Sequence, residues 1–218
     1  MKIIITMTLG LLLILPSLPQ SAKEIASRVE NKLRSLTTLE ANFEQIYISA
    51  SVSSDLKEKG RFFYGKPGLM RWEYSGPEER IYLIKDSLLW EYILGEKQLI
   101  KYDLSSEDKD YQAEVLALLS GNFGIGSRYT VAFSPVQPEK DKTDSLFLEL
   151  QPIEEGDYES IWLWIDTQNY LVRQILFTDW AGNKTEFTFT NIKTNRPLRE
   201  KIFELDISSD VEIIEYKK

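Results

Sequence analysis

The sequence predicts a mainly β chain of α+β class, in which about ten or eleven short strands form a strongly curved antiparallel sheet or unclosed barrel. Three observations predict it: many short segments alternate apolar and polar residues between frequent turns, only two segments have helical spacing, and several strands carry large apolar groups on both faces. A single solvated sheet face does not need such groups. The helices and the sheet are therefore expected to enclose a large apolar space.

Residues 1–22 are predicted to be a secretory signal peptide. Lys2 precedes an apolar run at 3–15, which is followed by prolines and small residues, and this order is typical of signal peptides. The run is short for a membrane span. Cleavage is expected after Ala22, which leaves residues 23–218 as one domain.

The first helix is predicted at about 23–35. Apolar residues recur at helical spacing from Ile25 through Val29 to Leu33, with charges on the other face. Ser21 and Glu24 match a capping box, in which both side chains satisfy free backbone N–H groups. Cleavage after Ala22 would remove Ser21, so this match can be fortuitous.

Residues 60–77 are predicted to form the β-hairpin around which the chain is organised. Two aromatic runs flank the turn Gly-Lys-Pro-Gly at 65–68, and a period of two places Met70, Trp72 and Tyr74 on one face. This wide aromatic face can pack on the protein's own core or line a cavity for an apolar ligand.

The rest of the chain reads as strands interrupted by one more helix. That helix is short and apolar, covers about 111–119 and ends at Gly121, a suitable C-terminal cap. Further strands are predicted from residue 39 to a loop at 49–59, and at 80–85, 88–93, 98–102, 128–133, 146–150, 161–165, 171–179, 184–190, 201–205 and 211–214.

Composition excludes several classes of function. The chain has no cysteine and no histidine, so thiolate nucleophiles, Ser-His-Asp triads and the commonest metal sites are excluded. The sequence predicts no catalytic residue, no metal site and no cofactor. The chain is therefore not expected to be an enzyme. The formal charge is −8 and becomes one unit more negative when Lys2 leaves with the signal peptide, which disfavours nucleic acid binding.

Taken in order, the motifs of the chain resemble those of the LolA-type periplasmic carriers of outer-membrane lipoproteins in Gram-negative bacteria. The resemblance covers nearly the whole mature chain. It rests on Phe43-Glu44-Gln45, Gly60-x-Phe62, Lys66-Pro67-Gly68-Leu69-Met70-Arg71-Trp72-Glu73-Tyr74 with Pro77, the run D-S-L-L-W-E-Y at 86–92, the leucine-rich segment 115–121, the loop 179–183, Asn191, Asn195, Phe203 and Val211.

This resemblance implies an unclosed barrel with a short helical lid over a hydrophobic cavity that shelters the acyl chains of lipoproteins. It implies a monomeric periplasmic chaperone that accepts cargo from an inner-membrane ATP-driven lipoprotein-release transporter and passes it to an outer-membrane lipoprotein receptor. The related receptor branch carries a lipidated cysteine, so the lack of cysteine places this chain on the carrier side.

The residues expected near the cavity are large and apolar. They are Phe43, Phe62, Met70, Trp72, Tyr74, Trp90, Leu116, Leu119, Leu148, Leu163 and Ile165. The family usually has an arginine before the proline of the hairpin turn, where it latches the lid, and Lys66 stands there instead. Lys66 can donate to lid carbonyls but lacks the planar guanidinium fork. It can equally be an exposed turn residue, and Arg71 is a second candidate for the latch.

Three other functions fit parts of the sequence. A carrier of another amphiphile, such as a glycolipid, would use the same fold. A lipid-sensing regulatory protein of the periplasm can share this half-barrel but is expected to have a second domain. A carbohydrate-active enzyme would need facing carboxylates, and the pairs Glu78-Glu79 and Glu154-Glu155 instead suggest solvated loops.

Overall fold

A single curved sheet of twelve strands dominates this computed structural model, which describes residues 21–52, 54–104, 117–121, 124–134, 145–154 and 156–215. The strands are β1 (Thr38–Ile48), β2 (Leu56–Gly65), β3 (Leu69–Ser75), β4 (Arg80–Lys85), β5 (Leu88–Ile93), β6 (Gln98–Asp103), β7 (Tyr129–Phe133), β8 (Ser145–Pro152), β9 (Tyr158–Asp166), β10 (Val172–Asp179), β11 (Lys184–Thr194) and β12 (Glu212–Glu215).

The strand order confirms the predicted unclosed antiparallel barrel. It runs β12-β6-β5-β4-β3-β2-β1-β11-β10-β9-β8-β7, so β1 and β11 pair in the middle of the sheet. Among the described strands, β12 and β7 are the two edges, and β12 pairs with β6 in parallel while the other pairs are antiparallel. The sheet has one or two strands more than predicted.

One amphipathic helix, α1 (Ala22–Arg34), lies against the concave face of the sheet. The capping box is present: Glu24 N donates to Ser21 Oγ (3.2 Å), and Ser21 N donates to Glu24 Oε2 (2.8 Å). The side chains of Ile25, Val29 and Leu33 are buried in the main hydrophobic core, which α1 shares with the concave face. The helix prediction is therefore confirmed.

The predicted second helix is described only at its end. Residues 117–119 are helical, and Gly121 follows with a φ of +77°, the conformation of a C-terminal glycine cap. The earlier part of the prediction lies outside the described residues, as do residues 1–20 of the predicted signal peptide. No helix among the described segments is long and apolar enough to cross a membrane.

The predicted loop at 49–59 and the predicted strand at 201–205 differ from the structure. Strand β2 begins at Leu56, inside the predicted loop, because residues 56–59 pair with the end of β1. The strand predicted at 201–205 is instead a 3-10 helix, η1 (Glu200–Phe203). Phe203 packs with Phe63 and Leu83 in a small second core on the convex face. This contact holds η1 against the convex face of the sheet.

Candidate functional site

The concave face of the sheet carries a cluster of aromatic rings centred on Trp72. The Trp72 ring centroid lies 4.4 Å from Phe62, 4.9 Å from Phe43, 5.4 Å from Phe187 and 6.0 Å from Phe189. All five side chains are buried. Such ring pairs contribute about 0.5–1.5 kcal/mol each beyond the area they bury, so this surface is both apolar and cohesive.

Strand register builds this cluster. Phe62 of β2 pairs with Trp72 of β3, and Phe43 of β1 pairs with Phe189 of β11. Rings from four strands therefore meet on one face. Phe43 also pairs with Gly60, and a Cβ built on Gly60 would lie 2.8 Å from the Phe43 ring. The lack of a side chain at Gly60 lets the Phe43 ring approach the strand.

Two helical pieces cover the apolar face, and together they are called the helical cover: α1 and residues 117–121. One gap between the cover and the sheet, among the described residues, has a volume of only about 10 Å³, far below the roughly 300–1,000 Å³ of ordinary ligand pockets. It is lined by Leu33, Leu39, Phe62, Leu119, Leu171, Val172, Phe189 and Ile192. Between the described parts of the cover and the sheet, the protein's own side chains therefore fill most of the space, and a large apolar ligand there would have to displace the cover.

Polar contacts hold the cover at the C-terminal end of α1. Lys66 Nζ donates to the Arg34 carbonyl (3.2 Å), and Arg34 Nε donates to the Gly121 carbonyl (2.7 Å). Glu30 Oε1 accepts from Gly124 N (3.1 Å) and lies 3.7 Å from the Arg34 guanidinium. The last carbonyls of a helix have no partner within the helix and attract cations. The hairpin turn, α1 and residues 117–121 are thus joined by a short chain of contacts.

Most of the predicted cavity residues lie on the concave side. Those in the main core or packed against it are Phe43, Phe62, Met70, Trp72, Tyr74, Leu119, Leu148, Leu163 and Ile165. Of these, Phe62 and Leu119 line the remaining gap, and the others are covered by neighbouring side chains. Leu116 lies outside the described residues.

The expectation for Trp90 requires a correction. In the register of β4 and β5, Leu89 pairs with Ile84 and Trp90 pairs with Leu83. Leu89 is therefore on the concave face, and Trp90 packs in the convex core near Phe203. Trp90 lies on the wrong side of the sheet to contact a ligand in the concave space.

The two latch candidates are also on different sides of the sheet. Lys66 reaches α1, where it donates to the Arg34 carbonyl. Arg71 lies on the convex face, where it donates to Glu73 Oε1 (2.7 Å) and to the Glu204 carbonyl (3.0 Å). These contacts direct Arg71 away from the helical cover.

Sequence reasoning missed part of this surface. Phe187 and Phe189 alternate with threonines in β11, and the period of two could have found them. The contact between Lys66 and α1 had no signal, because it joins residues that are distant along the chain.

This chain is similar to known proteins both in sequence and in fold. An outer-membrane lipoprotein carrier protein of Coxiella burnetii (strain CbuK_Q154) is 22% identical over 98% of this chain and 97% of its own length. One from Methylococcus capsulatus is 24% identical over 88% of each chain. The crystal structure of an uncharacterized conserved protein from Thermus thermophilus has a TM-score of 0.58 at 16% identity and covers 90% of this chain and 100% of that one, which shows a shared fold.

The sequence model of one protein family spans most of the chain. It is described as outer membrane lipoprotein carrier protein LolA and matches residues 34–206, from the end of α1 to beyond η1. With its twelve-stranded unclosed sheet and its covered aromatic face, this chain belongs to the LolA family of outer-membrane lipoprotein carrier proteins.

Proposed function

We propose that this protein binds the acyl chains of lipoproteins on its concave aromatic face and carries them across the periplasm, without a catalytic step. The observation that carries the proposal is an aromatic surface sealed by a helical cover that a few polar contacts hold. Membership of the LolA family and relatives named as outer-membrane lipoprotein carriers support it. The inner-membrane transporter would supply the cargo, and the outer-membrane receptor would take it. Residues 1–22 would serve as the export signal.

The energetics suit a reversible carrier. Burying an acyl chain contributes about 0.8 kcal/mol per CH₂, but here the chain must first replace the side chains of α1. A ligand shifts such an equilibrium only through its different affinities for the two states. Competition between cover and cargo therefore lowers the net affinity and favours transfer.

Release of a lipoprotein from membranes tests the proposal. Spheroplasts that contain a labelled, acylated lipoprotein are incubated with the purified mature protein. We expect a soluble one-to-one complex of the two in the supernatant. A lipoprotein that stays in the membrane pellet at every concentration of the protein would contradict the carrier role.

The Lys66 latch gives a prediction that separates loading from delivery. Lys66→Leu removes the hydrogen bond to Arg34 and should favour the open state. A hydrogen bond of this kind contributes about 0.5–1.5 kcal/mol, so transfer to the receptor should fall roughly twofold to tenfold while loading is retained. Lys66→Arg should keep transfer, since its fork offers more donors.

Both steps are measured separately with purified components. Lys85→Leu is a matched control, because Lys85 is an exposed lysine at the end of β4. A Lys66→Leu protein that loads and delivers at the native rate would show that Lys66 is not the latch.

A further inference from the structure

The concave face changes from apolar to polar along its strands. At the end near the Lys66 turn it is apolar, whereas at the opposite end, near residues 76–79, five neighbouring strands each place a polar group on the same face. This polar end consists of Gln45, Glu58, Tyr74, Arg80, Tyr82 and Glu91, and register puts them together: Gln45 pairs with Glu58, Tyr74 with Arg80, and Tyr82 with Glu91.

Arg80 lies at the centre of the polar end. Its guanidinium carbon is 4.4 Å from the Tyr74 ring centroid and 5.9 Å from that of Tyr82, and Nη2 donates to Glu58 (2.7 Å). The side chains of Arg80 and Glu58 are only 19% and 17% exposed. Arg80 Nε is buried and finds no acceptor in the described part of the chain.

The two tyrosine hydroxyls of the polar end each donate to one acceptor. Tyr74 Oη donates to Gln45 Oε1 (2.5 Å), and Tyr82 Oη donates to Glu91 Oε1 (2.7 Å). Burial raises the pKa of both tyrosines, and for Tyr82 the hydrogen bond to Glu91 raises the pKa further. Both hydroxyls therefore stay protonated and remain donors at neutral pH.

Stability does not explain an ion pair at this place. Taking Arg80 and Glu58 out of water has a desolvation cost that their attraction often fails to offset, and apolar residues of similar volume are commonly as stable. A buried N–H without an acceptor adds to that cost. The pair lies at the border of the apolar surface, which points to a role in recognition.

We propose that the polar end is a headgroup subsite for the ester and amide carbonyls that link acyl chains to their carrier molecule. This inference rests on the proposed function. Such carbonyls only accept hydrogen bonds, which matches the guanidinium N–H groups of Arg80 beyond the Nη2 group that donates to Glu58. The chains would lie on the Trp72 cluster, and the cargo's polar part would leave near residues 76–79, at the end opposite Lys66.

The charge of the polar end disfavours an anionic phosphate headgroup, which is the main alternative to a carbonyl group. The polar end holds two carboxylates, Glu58 and Glu91, and one guanidinium, so the cluster is net negative, and the Glu78 carboxylate lies 4.0 Å from Arg80. An anionic phosphate would be repelled, whereas a neutral carbonyl is not. The subsite therefore favours acylated peptides over anionic phospholipids.

Two lipopeptides test the subsite. One is a short peptide whose N-terminal cysteine carries ester-linked and amide-linked acyl chains, and the other has CH₂ in place of both ester carbonyls. We expect the wild type to bind the ester form roughly tenfold more tightly, which corresponds to about 1.4 kcal/mol, and Arg80→Met to bind both forms equally. An anionic phospholipid with the same chains should bind less tightly than the ester form.

Arg61→Met is the matched control. Arg61 also pairs with a glutamate, Glu73 (2.7 Å), and lies 5.0 Å from the Phe63 ring, but on the convex face. It should keep the tenfold preference. If Arg80→Met does not fold, Arg80→Lys keeps a cation beside Glu58 but removes the fork, and it should lose most of the preference.

The outcomes separate the subsite from the carrier role. Equal binding of both lipopeptides by the wild type, or an unchanged preference in the folded Arg80 variant, overturns the subsite and leaves the carrier role intact. A wild type that binds neither lipopeptide overturns the proposed function itself.

Discussion

Replacing Gly60 with alanine is expected to lower the free energy of unfolding by at least about 3 kcal/mol, beyond the usual effect of overpacking. A Cβ at this position would overlap the Glu73 carbonyl oxygen of the neighbouring strand and lie 2.8 Å from Phe43 Cε1. Backbone atoms cannot move aside as a flexible side chain can. The β2–β3 ladder and the Phe43 ring would both have to shift, and the Trp72 cluster with them.

Urea unfolding of the two proteins measures this change as a shift of the midpoint. Gly95→Ala is the control, because a Cβ there meets nothing within 4 Å. It should unfold close to the wild-type midpoint. A Gly60→Ala protein with the stability of the control would mean that the Glu73 carbonyl and the Phe43 ring do not approach Gly60 this closely.

Gly121→Ala is expected to detach residues 117–121 from α1 while the sheet stays folded. The new Cβ would lie 2.6 Å from the Glu30 carbonyl oxygen, 2.9 Å from Arg34 N and 3.0 Å from Leu33 Cβ. The φ of +77° adds strain for any L side chain, of about 1–2 kcal/mol. Because the helical cover then opens more easily, an apolar dye should bind more strongly and amide exchange at 117–121 should become faster.

Gly126→Ala is the control, because it adds the backbone strain of a positive φ without the close contacts that a Cβ would make at Gly121. Gly126 has a similar φ of +85°, but a Cβ there would meet only Lys23 Nζ, at 4.0 Å. Gly126→Ala should therefore keep the native dye binding. Equal dye binding by the two variants would show that the contact between Gly121 and α1 does not hold the cover.

Much of the fold follows from local patterns. Turn residues and a period of two located the organising hairpin, and the spacing of Ile25, Val29 and Leu33 located α1. These patterns need only neighbouring residues, so the sequence alone carries them. The 3-10 helix at Phe203 did not follow, because its conformation depends on a contact with Phe63 and Leu83 across the sheet.

The candidate site was less predictable, and β5 shows why. Its sequence Leu88-Leu89-Trp90 is apolar at consecutive positions, so alternation gives two possible faces. Only the pairing of Leu89 with Ile84 decides that Leu89 faces the core and Trp90 does not. Lys66 poses the same problem: its position in the turn was evident, but its partner Arg34 comes from an element 32 residues earlier in the chain.

The parallel strand β12 covers the backbone edge of β6, where a strand of another molecule could otherwise pair. Without it, the backbone of β6 would present unpaired N–H and C=O groups, on which a strand of another molecule could add. β12 has only four residues, and charged pairs fasten it beside β6: Lys97 with Asp210 (2.5 Å) and Lys101 with Glu215 (3.3 Å). A short, charged border strand is a poor template for polymerisation. Truncation before Glu212 would therefore expose the edge of β6, on which strands of other molecules could add to form fibres.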